Sequence, residues 1–389
     1  MIAPPEVGRI GNASASDVPT QIHSAETSTL TTAESKSLFR TAREIGAETP
    51  DAVPWVVEGI AAEGAITEVD GKLKASGKTT LLLNMATKVL DGDRFLDRDS
   101  SRTGVVILTE QNPTSFRAAL ARAGLLERDD VVVLFWADAR NLPWPVVVQL
   151  AEAKATELGY RLLVVDTLPQ FAGISGDGEN SSGAALEAMR PLQEAAAGGL
   201  AVVISRHERK GGGEVGESAR GSSAFSGAVD IVFSIRRAEG QTRETVRVIQ
   251  ALSRFDETPS ELVIDLVDGE YRVLGTMQDV KAQEAREAAL DELPVTEADA
   301  ITMTEIVERL KDSKIKRTTL QTAVAEHVEA GTVHRIGAGK KGDPFRYWRP
   351  EATKPPLPQI HSAAAPVVSA ERISDDADMV DEVIGRDDS

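Results

Sequence analysis

Between residues 60 and 275, short runs of aliphatic and β-branched residues alternate with stretches of helical periodicity, and this alternation restricts the fold more than any other feature of the chain. Strands are expected at Ala65–Val69, Val105–Thr109, Val131–Trp136, Leu162–Asp166 and Ala201–Ser205. Helical patterns at Lys78–Leu90, Thr114–Leu126, Trp144–Leu158 and Ala184–Ala197 separate them. Successive parallel strands need a crossover, and a helix is the usual one, so the spacing predicts βαβ units and a mostly parallel sheet with helices on its faces. Three further strand patterns, Ile231–Ile235, Val246–Ala251 and Glu261–Leu266, follow with no helix between them. The sheet is therefore expected to end in antiparallel hairpins, and the class is α/β.

At 389 residues the chain has room for one large domain and a smaller one. Residues 1–35, rich in Ser, Thr, Ala and Pro, have no periodic apolar face and read as a disordered N-terminal segment. Residues 36–275 hold the α/β domain. The charged stretch 276–297 reads as a linker with some helical character. Residues 298–350 show two helical patterns, Thr304–Asp312 and Arg317–Ala330, then a strand, a Gly/Lys turn and an aromatic strand, the order of a winged-helix domain. Residues 351–389 carry nine carboxylates against three basic residues and read as an acidic disordered tail.

With 43 Lys and Arg against 61 Asp and Glu, the net charge of −18 excludes a uniformly basic nucleic-acid coat, though not a local basic face. The region 298–350 is such a face: its ten basic residues outnumber its acids, and Lys340 and Lys341 fall in the turn. The bland alternative is a packing or dimerisation module with a solvated basic surface. The absence of cysteine removes disulfides, thiolate metal sites and cysteine nucleophiles from consideration. No apolar run approaches the length needed to span a bilayer, and the first twenty residues lack a signal-peptide pattern, so the expectation is a cytoplasmic protein with no membrane partner.

The chemistry begins in AITEVDGKLKASGKTTLLLNMA, a strand, a Gly/Lys-rich turn and a helix. A nucleotide's phosphates need converging backbone N–H groups, and a helix N-terminus supplies them together with a favourable dipole. Gly71, Lys74, Ser76, Gly77, Lys78, Thr79 and Thr80 are the candidate cradle: Gly77 admits close approach, Lys78 reaches the β- and γ-phosphates, and the Thr79 hydroxyl is placed for Mg²⁺. The strict pattern G-x-x-x-x-G-K-[ST] has glycine where Lys72 stands, with Gly71 one step earlier. Asp166 ends the apolar run LLVVD, where a carboxylate is costly unless it faces a ligand at the sheet edge, and an acid there suits the Mg²⁺ shell. Glu110 ends VVILTE and is a candidate to orient and polarise an attacking water. His207 falls just past a strand tip, where a donor could sense the γ-phosphate; the alternative is an ordinary polar residue. The Gly/Ser-rich stretch after it carries Arg209, Lys210 and Arg220, charges suited to a single-stranded phosphate backbone.

GKLKASGKTT, LTEQ, LLVVDTL, the histidine after the fifth strand, RGSSAFSGAVDIVFSIRR and ALSRFDETP together resemble the RecA-like ATPase core, in the RepA-like branch related to DnaB-type replicative helicases, over residues 55–270. The resemblance implies that Glu110 is the catalytic glutamate, Asp166 the Mg²⁺ acid and His207 the γ-phosphate sensor. It also implies a basic residue donated by the next subunit of a ring. Arg254 stands where DnaB-type enzymes place that residue, with Arg236 and Arg237 as alternatives, while the RepA position, ten residues after Arg220, holds Asp230. The expected function is an ATP- and Mg²⁺-dependent motor on single-stranded or forked DNA. It would be a homo-oligomer, as a ring or filament with the hexamer among the options, and would reach duplex DNA through the winged helix. The alternative is an ATP-switched DNA-binding loader or regulator without unwinding activity. A small-molecule P-loop kinase fits less well, because no lid segment is evident.

Overall fold

The computed structural model of the chain describes residues 39–72, 76–174, 181–207, 224–238, 243–313 and 315–350. The expectations for residues 1–35 and 351–389, and those placed on Lys74, Arg209, Lys210 and Arg220, lie outside the described residues. The chain divides after Val53 into two units. In the first, helix α1 (Ala42–Glu48) is closed by a capping box between Thr41 and Glu44 and has no buried residue.

The second unit starts with a short antiparallel pair, β1 (Trp55–Val57) and β2 (Ala61–Ala62). A nine-stranded sheet follows. Its parallel strands are β3 (Ile66–Gly71), β4 (Val105–Thr109), β5 (Val131–Phe135), β6 (Leu162–Asp166), β7 (Ala201–His207) and β8 (Ile231–Arg237). Strands β9 (Val246–Ser253), β10 (Glu261–Val267) and β11 (Glu270–Gly275) continue it as an antiparallel meander. The order across the sheet is β11-β10-β9-β8-β3-β7-β6-β4-β5. The mostly parallel α/β sheet with an antiparallel end is thus the fold. Strand β11, whose apolar residues are broken by Glu270 and Arg272, adds one member to the expected set.

Alternation along the buried strands sends residues to two separate cores. Val69, Ile107, Val164, Val203 and Phe233 pack on one face beneath α2 (Lys78–Asp91) and α3 (Pro113–Arg122). Ile66, Leu108, Val165, Ile204 and Val232 pack on the other, beneath α5 (Trp144–Leu158) and α7 (Ser182–Ala197), with the one-turn helices α4 (Trp136–Ala139), α6 (Leu168–Phe171) and α8 (Ala224–Gly227) filling the connections. Helix α3 stops at Arg122, short of the expected Leu126, because the chain turns at Gly124 with φ of +71°.

The stretch expected to be a linker is instead a packed helix. Helix α9 (Met277–Glu292) opens with a Thr276–Asp279 capping box, and its Met277 N–H donates to Glu261. Val280 is buried with Val246 and Val263 of the sheet. Further along, Ala285, Ala289 and Leu290 enter a third core with Ile306, Leu320, Val324 and Val333. That core is shared with α10 (Met303–Arg309), α11 (Arg317–Glu329) and a three-stranded antiparallel sheet ordered β12-β14-β13, formed by β12 (Ile301–Thr302), β13 (His334–Ile336) and β14 (Arg346–Trp348). The hydrophobic positions of α9 are mostly alanines, so it shows little of the apolar stripe by which amphipathic helices are recognised.

Candidate functional site

All parallel strands end at the same sheet edge, and there β3, β7, β6 and β4 deliver Gly71, His207, Asp166 and Glu110. Over this edge the chain leaves β3, turns, and enters α2 at Gly77, which has φ of +88°. Gly77 offers no side-chain cap, so the first N–H groups of α2 are left to face the cleft. The cleft has a volume of about 830 Å³, within the range of a nucleotide-sized ligand, and is bordered by Ser76, Gly77, Lys78, Thr79, Glu110 and Asp166 among others.

Gly71 has a structural reason that its spacing did not reveal. A Cβ there would lie 2.7 Å from Ser76 Oγ and 2.8 Å from the Ile235 carbonyl, so only glycine lets the turn fold back beside β8. Its carbonyl also accepts from Lys78 Nζ at 2.8 Å. Lys78 is largely buried, with its ammonium 3.4 Å from the Lys72 carbonyl and 3.3 Å from His207 Nδ1. His207 is the last residue of β7 rather than a residue beyond it, and this extension by two residues brings its ring to Lys78. Ser76 is held by a bond to the Lys72 carbonyl, and Thr80 lines the cleft.

Thr79 and Asp166 meet directly: the hydroxyl donates to Asp166 Oδ2 at 2.7 Å. The second carboxylate oxygen accepts from Ser205 at 2.5 Å, and Gln111 Nε2 reaches the Thr79 oxygen at 3.2 Å. A hydroxyl and a carboxylate side by side form a hard-oxygen donor set of the kind Mg²⁺ takes when phosphates and waters supply the rest. Among the described residues no group of three or more His, Asp or Glu side chains gathers into a metal cage, so this pair is the fit on offer. Glu110 stands beside it: its N–H donates to the Asp166 carbonyl, and its carboxylate accepts from the Thr167 hydroxyl at 2.7 Å. Desolvation within the cleft raises the Glu110 pKa, and the Asp166 charge pushes the same way, while the Thr167 bond and the Lys78 ammonium oppose them. Although the residue opens to solvent on one side, the cleft walls around its carboxyl dominate.

Sequence reasoning missed Gln111, Thr167 and Ser205, each adjacent to or alternating with a residue it found. It also missed Arg247 and Tyr271, which no motif marks. The antiparallel end of the sheet curls back over α2, with Asn84 donating to the Gly269 carbonyl and Lys88 pairing with Glu270 at 2.7 Å. Arg247 Nε thereby donates to the Ser76 carbonyl at 3.1 Å, and the Tyr271 hydroxyl lies 3.0 Å from where a Cβ on Gly77 would sit.

Arg254 is elsewhere. Ser253 pairs with Ile231 at the start of β8, so Arg254 stands at the sheet edge opposite the cleft, where it pairs with Asp230 at 3.2 Å. Within one chain it does not enter the site. Arg236 and Arg237 end β8 on the cleft side. Beneath the site, Glu68 and Arg206 form a fully buried pair at 2.9 Å, with the guanidinium 3.8 Å from the Phe225 ring. Burial pushes the Glu68 carboxyl up to about 7, with the Asp70 charge adding to it and Arg206 opposing.

The family described as "AAA domain" matches residues 31–213, which carry the turn, Glu110, Asp166 and His207. No curated protein matches the chain. Among solved structures it is similar to a KaiC-like protein from the hyperthermophilic archaeon Pyrococcus horikoshii OT3, at 13% identity and a TM-score of 0.42, over 57% of this chain and 99% of that one. The AAA-domain match and the cleft support an ATPase core. No helix among the described residues is long and apolar enough to cross a membrane.

Proposed function

We propose that the chain is a RecA-like, Mg²⁺-dependent ATPase that acts as a motor on DNA. The observation that carries the ATPase reading is the meeting of three elements in one cleft: Thr79 bonded to Asp166, Glu110 tethered by Thr167 beside them, and Lys78 at the uncapped start of α2. When bound, Mg²⁺ would neutralise phosphate charge and polarise the transferred group. Thr79 and Asp166 would hold it, and Ser205 fixes the Asp166 carboxylate in the orientation that leaves one oxygen for Thr79. Lys78 would exchange its carbonyl partners for phosphate oxygens. Glu110, lining the same cleft, would take the proton of the attacking water, a task favoured by a carboxyl whose pKa is raised. His207, in contact with Lys78, would report the terminal phosphate to the chain that follows β7. Arg247 and Tyr271, which stand against Ser76 and Gly77, would contact the nucleoside end.

The DNA reading rests on the region from α9 onward. Three helices and a three-stranded antiparallel sheet around one core, with Lys340 and Lys341 in the turn between the last two strands, support a winged-helix module whose wing meets duplex phosphates. On this reading α9 is the module's first helix. The ring-forming step would bring Arg254 of one copy towards the cleft of the next; its position at the opposite sheet edge suits a contribution in trans. The test is ATPase activity with and without single-stranded DNA, followed by strand displacement on a forked duplex. Stimulation together with unwinding supports the motor. ATPase without unwinding at saturating ATP removes the motor and leaves an ATP-switched DNA-binding protein.

A further inference from the structure

The sheet near residue 350 presents a basic and aromatic surface directly where the described residues end. Cross-strand pairing puts His334 opposite Trp348 and Ile336 opposite Arg346. Tyr347 joins the core, so these four residues occupy the outer face. The His334 and Trp348 rings stack at 5.3 Å, and Arg335 lies over Phe345 at 4.3 Å. Lys340, Lys341 and Arg346 are exposed, while Arg335, paired with Tyr347, stands on the other face of the sheet. The acids nearby are already engaged: Asp343 accepts from the Ala338 N–H within the turn, and Glu305, which feels Arg346, caps Thr302. Arg349 follows, its Nε buried without a hydrogen-bond partner among the described residues.

Twenty residues further on, the chain reaches a strongly acidic stretch. Between 371 and 388, Glu371, Asp375, Asp376, Asp378, Asp381, Glu382, Asp387 and Asp388 stand against Arg372 and Arg386, interleaved with Ile373, Met379, Val380, Val383 and Ile384. We propose that this acidic stretch docks on the outer face of the β13–β14 sheet and its Lys340–Lys341 turn, in the same chain. The carboxylates would pair with Lys340, Lys341 and Arg346, and the aliphatic residues would cover Ile336 and the His334–Trp348 stack. Twenty residues of intervening chain span about 25 Å as a flexible coil, enough to reach the face, and a tether of that length holds a ligand at about millimolar effective concentration. Individually weak surface ion pairs thus suffice for docking in cis. The second consequence rests on the DNA-binding reading of the same face: the acidic stretch would compete with DNA phosphates.

The test uses full-length chains and a fluorescent peptide of residues 371–389, followed by anisotropy at low and high salt. One chain is wild type; the other carries Asp375→Asn, Asp376→Asn, Asp378→Asn, Asp381→Asn and Glu382→Gln. The neutralised chain is expected to bind the peptide at least about tenfold more tightly than wild type, with the gain lost at high salt and on adding Lys340→Glu and Lys341→Glu. Equal affinity for wild-type and neutralised chains overturns the proposal, as does binding indifferent to Lys340 and Lys341. A wild-type block that disappears on dilution also overturns it, because the occupant is then a neighbouring copy. A duplex probe in place of the peptide separates the two readings: if the peptide arm holds and neutralisation leaves duplex affinity unchanged, the docking stands and the DNA-binding reading of the face fails.

Discussion

Replacing Gly71 with alanine tests the turn at the one position where its spacing departs from the familiar pattern. The added Cβ meets Ser76 Oγ at 2.7 Å and the Ile235 carbonyl at 2.8 Å. Ser76 can rotate away at the cost of its bond to the Lys72 carbonyl, roughly 1 kcal/mol for a buried hydrogen bond. The Ile235 carbonyl cannot, because β8 is laddered to β3 on one side and β9 on the other. Relief to an ordinary contact distance therefore requires the turn to retreat by roughly half an ångström, an overpacking that costs about 1–3 kcal/mol. The sum, about 2–4 kcal/mol, corresponds to a fall in Tm of about 5–10 °C for a domain of this size. The same retreat moves the Gly71 carbonyl that anchors Lys78, so nucleotide affinity should fall by about tenfold, or about 1.4 kcal/mol. Differential scanning calorimetry and titration with a fluorescent ATP analogue read the two effects. Gly227→Ala, in a helical position where no atom of another described residue comes within 4 Å of the new Cβ, apart from its chain neighbours and the helix's own backbone, is the control and should leave both unchanged. A Gly71→Ala chain with wild-type Tm and affinity would refute the close-packed turn.

Other expectations follow from the acids and from the antiparallel end of the sheet. Glu110→Gln keeps an acceptor for Thr167 and should bind ATP normally while kcat falls by about 10²–10⁴; in wild type, because the carboxyl pKa is raised, turnover should rise with pH through a midpoint above the ordinary glutamate range, as steady-state pH profiles would reveal. Glu68, raised to about 7, favours the folded state most when protonated, so its contribution is complete below its unfolded pKa and is lost as pH climbs through 7. Urea midpoints should decline between pH 5 and 8 more steeply in wild type than in Glu68→Gln, and equal slopes count against the buried assignment. Arg247→Ala should weaken nucleotide binding several-fold with kcat little changed, whereas a loss of kcat at saturating ATP would move Arg247 into the chemistry.

Much of this was legible in the sequence because parallel strands buried on both faces are continuous apolar runs. VVILT and LLVVD occupy the positions read from them, and each delivers its acid to the cleft. The turn before α2 was equally visible, since Gly77, Lys78 and Thr79 act through spacing along the chain. Arg247 and Tyr271 were not visible, because they reach Gly77 only through the curl of the meander over α2, a tertiary effect without a local pattern. The packing of helix α9, as distinct from its helical character, was hidden for a different reason: Ala285 and Ala289 bury little surface and leave its charged residues to dominate the pattern. Arg254 illustrates a third limit, since its salt bridge with Asp230 depends on the pairing of β8 with β9.

The most direct test of the account is calorimetric titration of a non-hydrolysable ATP analogue into the wild-type chain and into Lys78→Ala, each with and without Mg²⁺. The structure predicts one site per wild-type chain, at least about tenfold weaker when Mg²⁺ is withheld, and a loss of about 10²-fold or more in Lys78→Ala, equivalent to about 2.7 kcal/mol. Absence of binding to the wild type, or equal affinity in the variant, would contradict it.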